Sequence, residues 1–128
     1  MFNYAPPLNG TVPQFAIVFP VLPGKREALR AFLKELAGPR FADYDISSKK
    51  WGFERDTWFL QTTPQGVLVI YYGEGKDIPK AMRDWASGRE PFDVWMKQQL
   101  KDITGIDFNK PSDAPWPEQI HKYGFDER

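Results

Sequence analysis

The chain has no cysteine, which removes disulfides, thiol nucleophiles, iron–sulfur clusters and thiolate zinc sites together. Histidine is nearly absent as well: His121 is the only one. A Ser-His-Asp triad would have to recruit it from the C-terminal segment, and no Gly-x-Ser-x-Gly elbow is present to supply the nucleophile. Neither sign of charge is in excess, because Lys plus Arg and Asp plus Glu each number 17. That balance disfavours nucleic acid and anionic membrane surfaces as partners. Long apolar runs are also missing. The longest, Val67 to Tyr72, is far too short to span a bilayer. Met1-Phe2-Asn3-Tyr4 and the prolines after it lack the basic and apolar regions of a secretory signal, so the expected location is cytoplasmic. The carboxylate pairs Asp43/Asp45, Glu54/Asp56 and Asp102/Asp107 have no metal-site spacing with histidine, and charged helix faces account for most of them. Gly73-Glu74-Gly75 before Lys76 is not a phosphate loop but a strand exit. No metal and no cofactor are expected, and no catalytic set can be assigned.

Aromatic residues, in contrast, are abundant. They make up 16% of the 128 residues, with 10 Phe, 5 Tyr and 5 Trp. The length suits one domain with a real core, and the surplus suits an interface or a pocket as much as that core. The most informative stretch runs from Thr57 to Tyr72, where two β-branched and aromatic runs flank Pro64-Gln65-Gly66. This is a β-hairpin signal. Pro64 presets a type I turn and Gly66 can close it with a bulge. Thr63 is then expected opposite Val67, Leu60 opposite Ile70, Phe59 opposite Tyr71 and Trp58 opposite Tyr72. One face would carry Trp58, Leu60, Leu68, Ile70 and Tyr72, and the other Phe59, Gln61, Val67, Val69 and Tyr71. Both faces are apolar, so each needs a cover.

Residues 1–13, with three prolines and a glycine, read as an extended arm. Phe15 to Phe19 is a short buried strand closed off by Pro20 and Pro23-Gly24. From Lys25 the period becomes helical, with Ala28, Leu29, Phe32, Leu33 and Leu36 on one face until Gly38-Pro39. A second helix follows, in which Phe41, Tyr44, Ser48 and Trp51 share a side and Gly52 ends it. After the hairpin, Asp77 can cap a helix carrying Ile78, Ala81, Met82 and Trp85. Another opens at Pro91 with Phe92, Trp95, Met96, Gln99, Leu100 and Ile103 in one stripe, stopped by Gly105. Ile106-Asp107-Phe108 reads as a short edge strand. Residues 14–110 would form the domain. Residues 111–128 form a proline- and aromatic-bearing tail, too aromatic for a disordered one, packed on the domain or on a partner.

The order β, α(α), β-hairpin, α(α), β is the split βαβ arrangement of an α+β, ferredoxin-like fold. It has a four-stranded antiparallel sheet with helices on one face. The free face, with Phe59, Val69 and Tyr71, is too apolar to stay wet. Burial against a second copy, about 800 Å² per side, gives a homodimer joined through its sheets.

Over about residues 15–108 this order resembles the dimeric α+β barrel superfamily. That superfamily includes antibiotic-biosynthesis-type and haem-degrading monooxygenases, muconolactone isomerase-like proteins and stress-responsive barrel proteins. Leu36-Ala37-Gly38-Pro39-Arg40, Trp58 to Gly66 and Pro91-Phe92-Asp93-Val94-Trp95 are similar to a group of small bacterial proteins within it. The resemblance implies the fold and the dimer but no particular activity. Haem is disfavoured, because such relatives use a helical histidine and no helix here has one.

Six residues stand out as ligand-binding candidates: Tyr44, Arg55, Trp58, Gln61, Tyr71 and Tyr72. Gln61 and Tyr71 would be polar groups on the covered sheet face, bonded either to a ligand or across the dimer. Tyr44, Trp51, Trp58, Tyr72 and Trp85 would lie where helices meet sheet. There they are either core or the walls of a cleft, since monooxygenases of the resembled type hold a flat substrate there. Arg40 or Arg55 would neutralise a phenolate or carboxylate, or simply pair with a surface acid. Two readings remain open. One is a small aromatic or polyketide-like ligand in a monooxygenase-like cleft. The other is a non-catalytic dimeric interaction module.

Overall fold

The structure is a computed structural model and describes residues 11–110 and 116–125. The elements run β1 (Gln14–Val21), α1 (Arg26–Ala37), α2 (Phe41–Trp51), β2 (Arg55–Thr63), β3 (Gly66–Glu74), α3 (Ile78–Ala86) and α4 (Pro91–Thr104). The strands form one antiparallel sheet in the order β1-β3-β2. The α+β class therefore holds, but the sheet has three strands where four were expected. Ile106-Asp107-Phe108 does not pair with β1 because its backbone is bonded locally. Ile106 N–H donates to Thr104 Oγ1 at 3.1 Å, and Asn109 N–H donates to Asp107 Oδ1 at 3.0 Å. Those bonds wind the segment into turns immediately after α4 and keep it from extending along a sheet edge.

The hairpin forms where expected, but one residue out of the expected register. Thr63 faces Gly66, Leu60 faces Val69, Phe59 faces Ile70 and Trp58 faces Tyr71. The hydroxyl of Thr63 closes the turn, donating to Gly66 O at 2.8 Å and accepting from Gln65 N–H at 3.2 Å. With the turn satisfied in this way no bulge is inserted, and a single-residue change in pairing exchanges faces on one strand relative to the other. Trp58 and Leu60 consequently share the helix-covered face with Val67, Val69 and Tyr71. Phe59 and Gln61 share the opposite face with Leu68, Ile70 and Tyr72. Tyr71 is thus a core residue, 7% exposed, and not part of the free surface.

The α1 face and part of the α4 stripe are buried as their periodicity dictates. Leu29, Phe32 and Leu36 of α1 are buried, as are Met96, Leu100 and Ile103 of α4. These pack with Phe19, Val21, Val69, Tyr71 and Trp85 into the main core. Helices α2 and α4 end on Gly52 and Gly105, at φ 105° and 81°, a left-handed conformation that side chains resist. Asp77 makes no side-chain cap. The Ile78 N–H at the start of α3 is instead taken by Val12 O at 2.9 Å. The end of the N-terminal arm is therefore pinned, with Val12 buried beside Phe15 and Ile78, while residues 1–10 lie outside the described residues. In the tail, Trp116 meets the Phe15 ring edge-on at 5.3 Å and Gln119 donates to Gln14 at 3.2 Å. That part of the tail lies on its own domain. Beyond it, Ile120 and Tyr123 are 88% and 89% exposed.

Candidate functional site

Helix α2 differs from its neighbours in having no buried residue. Polar contacts hold it instead. Asp93 on α4, itself 1% exposed, accepts from Ser47 Oγ at 2.5 Å and from Trp51 Nε1 at 3.1 Å. Arg40, just before the helix, lies 3.9 Å over the Trp95 ring and also pairs with Glu35 at 3.0 Å. Between α2 and the sheet this arrangement leaves a cavity of ≈ 50 Å³. Tyr44, Ser47 and Ser48 line it from α2, and Asp56, Trp58 and Tyr71 from the sheet. Met82, Trp85, Met96 and Leu100 close it from α3 and α4, with Phe19, Phe53 and Phe108 around them.

Asp56 is the chemical centre of this space. It occupies an inward position of β2, two residues before Trp58, and it is the only charged side chain among the described residues of the lining. Tyr44 donates to its Oδ2 at 2.6 Å and Tyr71 donates to the same oxygen at 3.2 Å. Burial pushes the Asp56 carboxyl above its ordinary range, while the two tyrosyl bonds pull the other way and lose. Burial, followed by the charge of Asp56, raises both tyrosine hydroxyls well above the usual phenol range, so both remain protonated donors. Oδ1 has no hydrogen-bond partner among the described residues. No buried side-chain polar atom among them goes unsatisfied, so Oδ1 is accessible to solvent, and Asp56 is one of the residues that line the cavity. It is a free acceptor.

The six candidates divide between two places. Tyr44, Trp58 and Tyr71 come together at the cavity, with the Trp58 and Tyr71 rings 4.9 Å apart. Arg55 and Tyr72 lie on the opposite face of the sheet. There Arg55 Nε donates to Glu74 at 2.8 Å and the Tyr72 hydroxyl donates to Glu74 at 2.7 Å. Gln61 is also on that face, exposed, and donates to Thr62 O at 3.3 Å. Arg55 is thus removed from any role as an anion partner in the cavity.

Sequence reasoning places Asp56, the residue at the centre, among carboxylate pairs without metal-site spacing and not among the ligand-binding candidates. Its signal was the strand period, which puts it in the same inward row as Trp58 and Leu60. Among the described residues no group of histidine, aspartate and glutamate side chains could hold a metal ion. No described helix is long and apolar enough to cross a membrane. Fold and site together define a small α+β domain with an aromatic-walled cavity that holds a carboxylate. Comparison with known proteins finds no matching family model, no matching curated protein and no matching solved structure.

Proposed function

We propose that this protein binds a small aromatic or largely apolar molecule between α2 and the sheet. One observation carries the reading: Asp56, whose Oδ1 has no partner among the described residues, lines a cavity walled mostly by aromatic and methionine side chains. Binding sites commonly pair an apolar lining with a few fixed polar groups. Tyr44 and Tyr71 fix the carboxylate from one side, so that its second oxygen is left to orient a ligand. Trp58 and Trp85 supply flat walls. Monooxygenases of the resembled type also hold a flat substrate between sheet and helices, which favours the same position here. A thermal-shift panel of small aromatic alcohols, phenols and amines tests this. Binding raises the melting temperature in proportion to occupancy, and the effect should disappear in Trp58→Ala and Asp56→Ala. A panel with no shift, on protein shown to be folded, overturns the reading.

The second reading, a dimeric interaction module, has an observation of its own. Val18 and Phe59 on the helix-free face are 52% and 55% exposed, beside Leu68, Ile70 and Tyr72. A contiguous apolar sheet face of this kind suits a second copy of the same chain. Both readings can hold together, because the cavity opens on the other side of the sheet.

A further inference from the structure

We infer that the polar end of the ligand is an ammonium group, so that the molecule bound is a small amine rather than a phenol or an acid. This inference rests on the cavity reading above and specifies its chemistry. Asp56 is the only charged side chain among the described residues lining the cavity, and no lysine or arginine stands there to balance it. An anionic ligand would therefore bring a second negative charge into an apolar space with nothing to offset it. Both protein donors at the carboxylate, the hydroxyls of Tyr44 and Tyr71, are already committed to Oδ2. What remains is an acceptor, Oδ1, and an acceptor selects a donor.

The walls favour a cation among donors. Trp58 and Tyr71 meet at 68°, with ring centroids 4.9 Å apart, forming an aromatic corner beside the carboxylate. Trp85 and Phe53 add further rings. Aromatic faces attract ammonium groups, most strongly where water is excluded. The sulfurs of Met82 and Met96 add polarisable surface without polar demands. The size agrees with a head group. At roughly 15 Å³ per water, ≈ 50 Å³ admits only a few water-sized groups, so an ammonium with a short alkyl body is the scale implied, and a benzyl body would extend beyond the cavity.

The test uses isosteres that differ in charge: benzylammonium, benzyl alcohol and benzoate, with propylammonium, propanol and propionate as a smaller set. Each is titrated into the wild-type protein by calorimetry and by NMR of the Trp indole signals. The expected order is cation, then alcohol, then acid. The cation should lead by about tenfold or more, and Asp56→Asn should erase that lead while leaving alcohol binding in place. If the alcohol binds as well as the amine, or the acid binds best, the ammonium assignment is overturned and the cavity reading survives. If none of the six binds, both fall. Should Asp56→Asn not fold, the pH dependence decides on wild-type protein. Among the described residues Asp56 faces two other titratable groups, Tyr44 from α2 and Tyr71 from β3, and both stay protonated. The cation's lead must then fade as acid protonates Asp56, and a lead unchanged from pH 8 to well below the carboxylate range overturns the assignment.

Discussion

Tyr44 of α2 and Tyr71 of β3 donate to one and the same oxygen, Oδ2 of Asp56, at 2.6 and 3.2 Å. Tyr71 comes from a strand paired on both sides, whereas Tyr44 comes from a helix with no buried residue. One donor is therefore built into the sheet, and the other arrives only when α2 is docked.

Tyr44→Phe removes the link between α2 and the carboxylate while keeping the ring. A hydrogen bond to a charged group is worth about 1.5–3 kcal/mol, and Tyr71 continues to serve Asp56, so a loss of about 1–2 kcal/mol is expected. The loss should be local first. Amide hydrogen exchange in residues 41–51 should accelerate more than in α1 or α4, because α2 lacks the apolar anchors of those helices. Uniform acceleration across all helices would show that α2 is not a separate opening unit.

Asp56 gives stability a pH dependence of defined sign. Its folded-state value is raised above the ordinary 3.8, chiefly by burial. The native state then binds the proton more readily than the unfolded chain. The contribution of Asp56 is complete below the ordinary value and is lost as pH rises through the raised one. Asp56→Asn should accordingly gain on wild type with increasing pH, and the difference in unfolding free energy should flatten once both states are ionised. Urea denaturation of the two proteins from pH 3.5 to 8 measures it. A difference independent of pH would refute the raised value.

Lys97 is 1% exposed and donates from Nζ to three carbonyls at the end of α3: Trp85 at 2.8 Å, Ala86 at 3.1 Å and Gly88 at 2.8 Å. It shares these carbonyls with other donors: the Gly88 N–H bonds Trp85 O at 2.9 Å, and Arg89 reaches Ala86 O at 2.9 Å and Gly88 O at 2.8 Å. Burial pulls its ammonium below the usual lysine range. Lys97→Met keeps the length and loses three hydrogen bonds to carbonyls that each retain another donor, at an expected cost of about 1–3 kcal/mol. Chemical denaturation checks the value. A change under about 1 kcal/mol would mean that the Gly88 N–H and Arg89 suffice for these carbonyls without the ammonium.

Lys97 also shows where sequence reasoning stops. The α4 stripe of Phe92, Trp95, Met96, Gln99, Leu100 and Ile103 located the helix, because the apolar period is a property of the element itself. Its buried side proved to be rotated toward Asp93, Lys97 and Thr104, whose partners lie on α2, at the end of α3 and on the helix's own backbone. Charged residues on a helix read as solvated until their partners are in view. The same applies to the hairpin. Its existence was legible in the β-branched runs, but its register rested on the Thr63 hydroxyl, and with it which of Phe59 and Tyr71 faced the helices. Tyr44, Trp58 and Tyr71 were legible as aromatic candidates. Arg55 and Tyr72 were drawn away by Glu74, a buried carboxylate on the other face.

The helix-free face supplies the last prediction. With the observed register, its apolar centre is Ile70 and Leu68 on β3, flanked by Val18 on β1 and Phe59 on β2. Phe59 presents the largest exposed side chain among these, so Phe59→Lys places a charge where two copies would meet. Sedimentation equilibrium should show a dimer for wild type and a monomer for the variant, since an uncompensated charge at the centre of an apolar contact costs several kcal/mol. Gln61→Leu, on the same face and bonded only to its own strand, should leave the dimer intact or tighten it. Ligand binding in the cavity should be unchanged in Phe59→Lys, because Asp56 and Trp58 point to the other side of the sheet. A wild-type protein that sediments as a single chain at high micromolar concentration would rule out the sheet-to-sheet dimer.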